Sequence, residues 1–143
     1  MALHQLSVFM ENAPGALSGI AETLANADIN LRAMNIADAE GFGILRMIVS
    51  DKRMAASVLK GKGYSVKETE VIGIRIDDQP GKLAEALKVL DLANINLDYL
   101  YAFFTQMERQ AYLIIHVKEN QRAEEALSAA GFALISDEDV AKL

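Results

Sequence analysis

Apolar residues follow two different periods along the first half of this chain, and each period predicts a different element. Positions in Gln5–Met10 alternate, with three apolar residues on one face: Leu6, Val8 and Met10. This alternation predicts a half-buried strand. The next apolar residues have the i, i+3, i+4, i+7 spacing of a helix that lies on a core: Leu17, Ile20, Ala21 and Leu24.

Four further elements complete the first half of the chain. The pattern predicts strands over Asn30–Asp38 and Ile44–Ser50, a helix over Lys52–Lys62 and a last strand over Tyr64–Thr69. Gly63 stands where a helix commonly ends in the left-handed conformation. The predicted order is therefore βαββαβ.

The second half of the chain repeats the first. Asn12-Ala13-Pro14-Gly15 returns as Asp78-Gln79-Pro80-Gly81, and Asp28-Ile29-Asn30-Leu31 returns as Asn94-Ile95-Asn96-Leu97 at the same spacing. The third strand of the second copy is displaced by two residues, which fits an insertion in the turn 105–110. Internal repeats of this kind decide the fold. We therefore predict two domains, residues 1–69 and 70–143, and one more helical turn in the tail after Ser136.

The βαββαβ order of each copy predicts an α/β ferredoxin-like unit (α+β), in which an antiparallel sheet carries both helices on one face. The other sheet face of the second copy is unusually aromatic, and its residues are Arg75, Tyr99, Tyr101, Phe103, Tyr112, Ile114 and His116. A face of this composition is seldom left in water. We expect another sheet to cover it, with a ligand platform as the alternative.

Composition narrows the functional class. The 143 residues include no cysteine, which excludes disulfides and thiolate chemistry and fits a reducing cytosol. The formal charge is −6 and the pI is near 4.9, so we expect neither a nucleic acid nor an anionic membrane as partner. The N-terminus has no signal-peptide pattern, and no apolar run is long enough to cross a bilayer. These features favour a soluble, cytoplasmic protein.

The two Pro-Gly loops are the candidate binding sites. Each precedes a helix, whose first N–H groups and partial positive charge favour a carboxylate. Asn12 offers a donor and an acceptor, which suits a ligand that carries a carboxylate beside an ammonium group. The alternative is that Asn12 and Asp78 only cap helices. Asn30 and Asn96 have a structural alternative too, because asparagine tolerates a left-handed turn.

The sequence contains no catalytic or metal-binding constellation. His4 and His116 fall on separate strands without ligand spacing, and no serine, histidine and acid grouping recurs around either Pro-Gly loop. Gly41-Phe42-Gly43 imitates an RNA-recognition motif, but Glu40 and Ile44 replace the basic and aromatic residues that the motif needs. An acylphosphatase, which shares the topology, needs a loop arginine that both loops lack. We therefore expect a protein that is not an enzyme and uses no cofactor.

The repeated motifs resemble those of the ACT domain. The resemblance rests on Asn12-Ala13-Pro14-Gly15-Ala16-Leu17 with Asp28-Ile29-Asn30-Leu31, and on the second copy of both motifs. It implies regulatory units whose sheets pair side by side and bind an amino acid at their interface. The implied ligand-binding residues are Asn12, Ala13, Pro14, Gly15, Ala16, Asn30, Leu31, Asp78, Gln79, Pro80, Gly81 and Asn96.

Two departures qualify the resemblance. Serine-sensing ACT domains carry a histidine where this chain has Met10, which indicates a less polar effector. Asp78 replaces the loop asparagine in the second copy and would repel the carboxylate of an effector. The resemblance implies a homodimer that senses a free amino acid and modulates an amino-acid biosynthetic or catabolic enzyme in trans. The alternative is an oligomerisation module with a vestigial ligand site.

Overall fold

A computed structural model describes residues 2–103 and 109–143. Its elements in chain order are β1 Leu3–Glu11, α1 Ala16–Asn26, β2 Leu31–Ala39, β3 Phe42–Val49, α2 Lys52–Gly61, β4 Ser65–Asp77, α3 Lys82–Leu92, β5 Leu97–Ala102, β6 Gln110–Val117, α4 Asn120–Ala129, β7 Ala133–Ile135 and α5 Asp137–Ala141. The predicted elements are thus present, and α5 confirms the helical turn that was expected after Ser136. The predicted insertion over 105–110 lies largely outside the described residues.

The described residues form two compact units. The first unit is His4–Thr69, and the second is Glu70–Leu143 together with Ala2 and Leu3. The sequence predicted separate strands on either side of Glu70, whereas the structure has one continuous strand, β4, across this boundary. The proposed domain division at 69/70 stays a prediction.

The sheet of the first unit has the strand order β2-β3-β1-β4, to which β4 contributes its first half. β3 pairs antiparallel with both neighbours, so that Leu45 lies between Val8 and Ile36. One sheet face and the two helices bury an aliphatic core whose members are Leu6, Val8, Ile20, Leu24, Ile29, Leu45, Met47, Val49, Ala55 and Leu59. The stripe predicted for α1 supplies two of these residues.

The second unit repeats this arrangement with the order β5-β6-β4-β7. Its core uses equivalent positions except that Ile76 takes part where the first unit has Ile20, and its members are Ile72, Ile74, Ile76, Leu90, Ile95, Leu113, Ile115, Val117, Ala123 and Leu127. The fold is therefore two βαββαβ repeats, each with an antiparallel sheet and helices on one face, as the sequence predicted.

The start of the chain packs against its second unit. Leu3 is 1% exposed, and a Cβ added at Gly73 would lie 2.7 Å from Leu3 Cδ2 and 2.3 Å from Ile135 Cγ1. The backbone N–H of Asp137 donates to the carbonyl of Ala2 at 3.0 Å. Gly73 is thus the position in β4 where the absence of a side chain lets two apolar side chains meet the strand.

The aromatic face of the second unit is largely withdrawn from water. Tyr101, Phe103, Tyr112 and Ile114 are buried, which confirms that this part of the face is not left in solvent. Its half-exposed end holds Tyr99 stacked on His116, with ring centroids 4.8 Å apart and a 5° interplanar angle. That a second sheet covers the face stays a prediction.

No helix in the described ranges is both long enough and apolar enough to cross a membrane.

Candidate functional site

Backbone hydrogen bonds fix the first Pro-Gly loop at the end of β1. The N–H of Asn12 donates to the carbonyl of Gly41 at 3.1 Å, which ties the loop to the β2–β3 turn. Ala13 N–H donates to Glu11 O at 2.9 Å, and Ala16 N–H donates to Ala13 O at 3.2 Å. The loop therefore has a defined backbone although its side chains are exposed.

Gly15, rather than Asn12, occupies the N-cap position of α1. Its φ is 88°, no side chain caps the helix, and Pro14 lies before the first helical residue. The alternative that Asn12 caps this helix is therefore excluded. A Cβ on Gly15 would meet nothing within 4 Å. The glycine is thus required by its left-handed backbone and not by the close approach of another group.

The side chain of Asn12 reaches an acidic partner instead. Its Nδ2 donates to Asp38 Oδ1 at 3.0 Å, and both residues are exposed. One amide hydrogen is engaged, while Asn12 Oδ1 and the second amide hydrogen face no described partner. The carboxylate of Asp38 adds an acceptor that suits an ammonium group. Sequence reasoning missed Asp38, because only the pairing of β2 with β3 brings it to this loop.

Asn30 is held through its backbone at the start of β2. Its N–H donates to Ser50 Oγ at 3.0 Å, and its carbonyl accepts from Ser50 N–H at 2.9 Å. Its side chain is exposed and has no hydrogen-bond partner among the described residues. The left-handed residues of the two helix-to-strand turns are Asp28 and Asn94. The alternative that Asn30 and Asn96 adopt the left-handed conformation of these turns is therefore wrong, because the residues that adopt it lie two positions earlier.

The two candidate asparagines of the first unit lie at opposite ends of its sheet. Asn12 follows Glu11, which pairs with Phe42 at the start of β3, whereas Leu31, next to Asn30, pairs with Val49 at its end. The eight residues of β3 separate them by about 25 Å at roughly 3.3 Å per residue. One amino acid therefore cannot contact both residues within a single unit.

The second Pro-Gly loop repeats the backbone geometry of the first. Asp78 N–H donates to Arg109 O at 2.7 Å, Gln79 N–H donates to Asp77 O at 2.9 Å, and Gly81 has a φ of 93° at the N-cap of α3. Pro80 again precedes the helix. Asp78 is exposed, and its carboxylate takes the place of the Asn12 amide.

Asn96 repeats the position of Asn30. Its neighbour Leu97 pairs with Val117 at the end of β6, whereas Asp78 contacts Arg109 just before the start of β6. The strand-entry asparagine and the loop are thus at opposite ends of this sheet as well. Among the residues that the structure describes, no cluster of His, Cys, Asp or Glu could hold a metal ion.

A cleft of about 670 Å³ lies beside the second loop, and we call it the Arg75 cleft. Its lining residues are Arg75, Ile76, Asp77, Lys82, Glu85, Gln110, Ala130, Gly131, Phe132 and Ala133. None of the residues predicted to bind ligand is among them, although Asp77 and Lys82 flank the predicted loop. Sequence periodicity gave no signal for this cleft, because it depends on the shortness of β7.

The repeated unit and its Pro-Gly loop define a protein built from two ferredoxin-like modules. Residues 1–143 match the family model described as the ACT domain pair, and the chain belongs to this family.

Solved structures share the fold of this chain. Protein BT0572 from Bacteroides thetaiotaomicron is 36% identical and superposes with a TM-score of 0.92, over 100% of this chain and 98% of that one. The regulatory subunit of aspartate kinase from Thermus thermophilus is 15% identical with a TM-score of 0.65, over 90% and 91% of the two chains. The corresponding subunit from Thermus flavus is 14% identical with a TM-score of 0.58, over 91% and 94%. The two Thermus structures show the fold alone. No curated protein matches the sequence.

Proposed function

We propose that this ACT domain pair is a cytoplasmic, non-enzymatic regulator that binds a free amino acid and modulates an enzyme of amino-acid metabolism in trans. Two structures that share its fold are regulatory subunits of aspartate kinase, which supports a regulatory role for this chain. The ligand is held by the loop Asn12–Ala16 of one chain and by Asn30–Leu31 of a second chain. The homodimer is therefore part of the site.

The observation that carries this proposal is the separation of Asn12 from Asn30 along β3. β2 is the edge strand of the first unit's sheet, and Asn30 and Asp38 stand at its two ends. If two copies pair antiparallel through β2, a two-fold axis brings the start of one strand beside the end of the other. Asn30 of one copy then approaches the Asn12–Asp38 pair of its partner.

The chemistry of this composite site fits an α-amino acid. Asp38 and Asn12 Oδ1 accept from the ammonium group, while the free amide hydrogens and the N-terminus of α1 favour the carboxylate. Met10 packs against the core beside the loop and favours a ligand side chain less polar than serine. For a ligand of about ten heavy atoms, a free energy of roughly −5 to −8 kcal/mol is reasonable.

Binding is tested by a thermal-shift screen against the twenty amino acids, followed by calorimetry. We expect one chemical group of amino acids to stabilise the protein, and Asn12→Ala to lower its affinity about ten- to a hundredfold through lost hydrogen bonds to a charged ligand. Unchanged calorimetric affinity of Asn12→Ala would remove this residue from the site.

The shared site is tested by mixing two defective variants. Asn12→Ala and Asn30→Ala should each bind weakly as homodimers, because each damages both composite sites. After subunit exchange, half of the dimers are mixed, and each mixed dimer regains one site with both asparagines. Calorimetry should therefore recover about one strong site per mixed dimer. If mixing restores no strong binding, the asparagines are not shared between two copies.

An oligomerisation module with a vestigial site is the second candidate. The replacement of the loop asparagine by Asp78 in the second unit favours it. Dimers that respond to none of the twenty amino acids would support this alternative and end the sensor proposal.

A further inference from the structure

Charge is divided unequally between the two repeats. Residues 70–143 hold thirteen acidic and seven basic side chains, whereas residues 4–69 hold seven of each, so the whole net charge of −6 falls on the second repeat. Five of the seven basic residues of the first repeat lie in the stretch 52–67, which contains no acidic residue: Lys52, Arg53, Lys60, Lys62 and Lys67. An acidic protein thus carries one strongly basic segment, and this segment includes α2.

The outward face of α2 is the basic surface of this segment. Arg53, Ser57 and Lys60 recur at the i, i+4, i+7 spacing of one helix face, and all three are exposed. The buried residues of the helix, Ala55 and Leu59, point to the core instead. Neither Arg53 nor Lys60 forms an ion pair with a residue in the described ranges. We call Arg53, Ser57 and Lys60 the α2 face.

A groove of about 360 Å³ adjoins the α2 face, and its lining residues are Lys52, Arg53, Ala56, Ser57, Lys60 and Glu68. Glu68 is the acidic member of this lining, and it is already engaged, because its Oε1 lies 2.6 Å from Lys52 Nζ. The charges of Arg53 and Lys60 are therefore not neutralised. A surface with this excess of positive charge attracts carboxylates.

The equivalent helix of the second unit carries the opposite charge. The buried alanine and leucine of each helix align α2 with α4. The four polar groove positions of α2 are all changed in α4, where they are Asn120, Gln121, Glu125 and Ser128. Glu124 stands next to Glu125, and neither forms an ion pair with a residue that the structure describes. The basic residue of α4, Arg122, pairs with Glu119. α4 therefore presents two carboxylates that are not neutralised, whereas α2 presents two such cations.

These opposite charges determine which surfaces of two copies attract each other. The second unit of one copy repels the second unit of another, because both are acidic, whereas the α2 face attracts it. Exposed ion pairs stabilise a contact only slightly, so apolar contact is needed as well. Met54, which is 47% exposed, lies one turn from Ser57 on the same helix and supplies apolar area beside the α2 face.

We propose that the α2 face binds α4 of a second copy of this chain. Arg53 and Lys60 contact Glu124 and Glu125 of the other copy, and the charges orient the two helices. The contact is separate from the β2 pairing of the loop site. Its groove adjoins β4, which lies at the opposite edge of the first unit's sheet from β2. Both contacts can therefore form together, and because each copy carries both helices, the contact can repeat from copy to copy.

The contact is tested by sedimentation velocity of the full chain at about 0.02 M and about 0.5 M NaCl, because high salt screens exposed charges. We expect larger assemblies at low salt, which revert at high salt to the species formed without this contact. Arg53→Glu combined with Lys60→Glu should weaken the low-salt association about tenfold or more. Glu124→Lys combined with Glu125→Lys should have the same effect.

Mixing the two double variants is the decisive measurement. The α2 face of the first variant is acidic and α4 of the second is basic, so the mixture should regain the low-salt assembly, which also shows that both variants are folded. Lys88→Glu combined with Lys142→Glu is the matched control. It changes the net charge equally at exposed positions outside both helices and should still associate.

The interface and the loop site can fail separately, because Asn12→Ala should leave this association unchanged. Identical sedimentation at both salt concentrations would overturn the proposal. So would an assembly that the double variants retain, or one that the matched control loses as well. Double variants that do not associate on mixing would overturn the assignment of α4 as the partner surface.

Discussion

At the scale of single residues, Gly73 is the glycine at which an added Cβ would meet the closest neighbours. An alanine Cβ would stand 2.3 Å from Ile135 and 2.7 Å from Leu3, which overpacks a buried site. We expect Gly73→Ala to lower the free energy of unfolding by about 1–3 kcal/mol, measured by urea denaturation. Gly61→Ala is the control, because a Cβ there meets nothing within 4 Å and alanine favours the helix. Equal stability of the two variants would contradict this packing.

Asp38 supplies the negative charge of the proposed loop site. Asp38→Asn keeps an acceptor for Asn12 Nδ2 but removes the negative charge that would attract the ligand's ammonium group. We expect its amino-acid affinity to fall about tenfold, with unchanged thermal stability of the free protein. Glu22→Gln on the exposed face of α1 removes a charge elsewhere and should bind normally. An Asp38→Asn variant that binds like the parent would exclude this role.

At the scale of elements, equivalent helices of the two units begin differently. Asp51 caps α2 by accepting from Met54 N–H at 3.0 Å, whereas Glu119 caps α4 without any side-chain bond to the helix. Asp51→Ala should therefore cost about 1 kcal/mol of stability. Glu119→Ala loses only an exposed contact with Arg122 and should cost less. Chemical denaturation compares the two variants, and equal losses would contradict the prediction that the side-chain cap makes Asp51 the more stabilising of the two residues.

The elements were predictable because each carries a strong period or a strong break. The helix stripe ending at Leu24 and the alternation from Leu6 to Met10 place apolar residues on the core face, where Leu6, Val8, Ile20 and Leu24 are buried. The prediction of a strand buried on one face only is wrong for this part of β1, because Gln5 and Ser7 on its other face are buried as well. The sequence did not predict that β4 is continuous from Ser65 to Asp77. Glu70, at the boundary of the two repeats, neither breaks a strand nor requires one, so the sequence there fits one strand as well as two.

The candidate site was less predictable than the fold. The local sequence is enough to predict a turn at the Pro-Gly loop, and the structure has this turn, with Gly15 in the left-handed conformation. The separation of Asn12 from Asn30, the approach of Asp38 and the cleft at Arg75 all depend on which strands pair and where each one ends. These are long-range properties that residue spacing does not carry.

At the scale of the whole molecule, the two ends of the chain meet in one unit. Leu3 is buried beside Gly73 and Ala2 accepts from Asp137, so residues at the N-terminus complete a unit formed by Glu70–Leu143. Leu3→Ala should cost about 2–5 kcal/mol through the cavity it leaves. Hydrogen exchange should place the lost protection in β4 and β7, and loss confined to residues 4–69 would contradict this assignment.

This closure also has a consequence for the order of folding. The contact between Leu3 and Gly73 joins residues far apart in sequence. Forming it closes a long loop, so the chain loses conformational entropy before the contact stabilises the fold. We expect it to form after the transition state. Leu3→Ala should then accelerate unfolding in stopped-flow experiments and leave the refolding rate nearly unchanged. Leu3, which precedes the whole of the first unit in sequence, would thus be among the last residues to reach its native position.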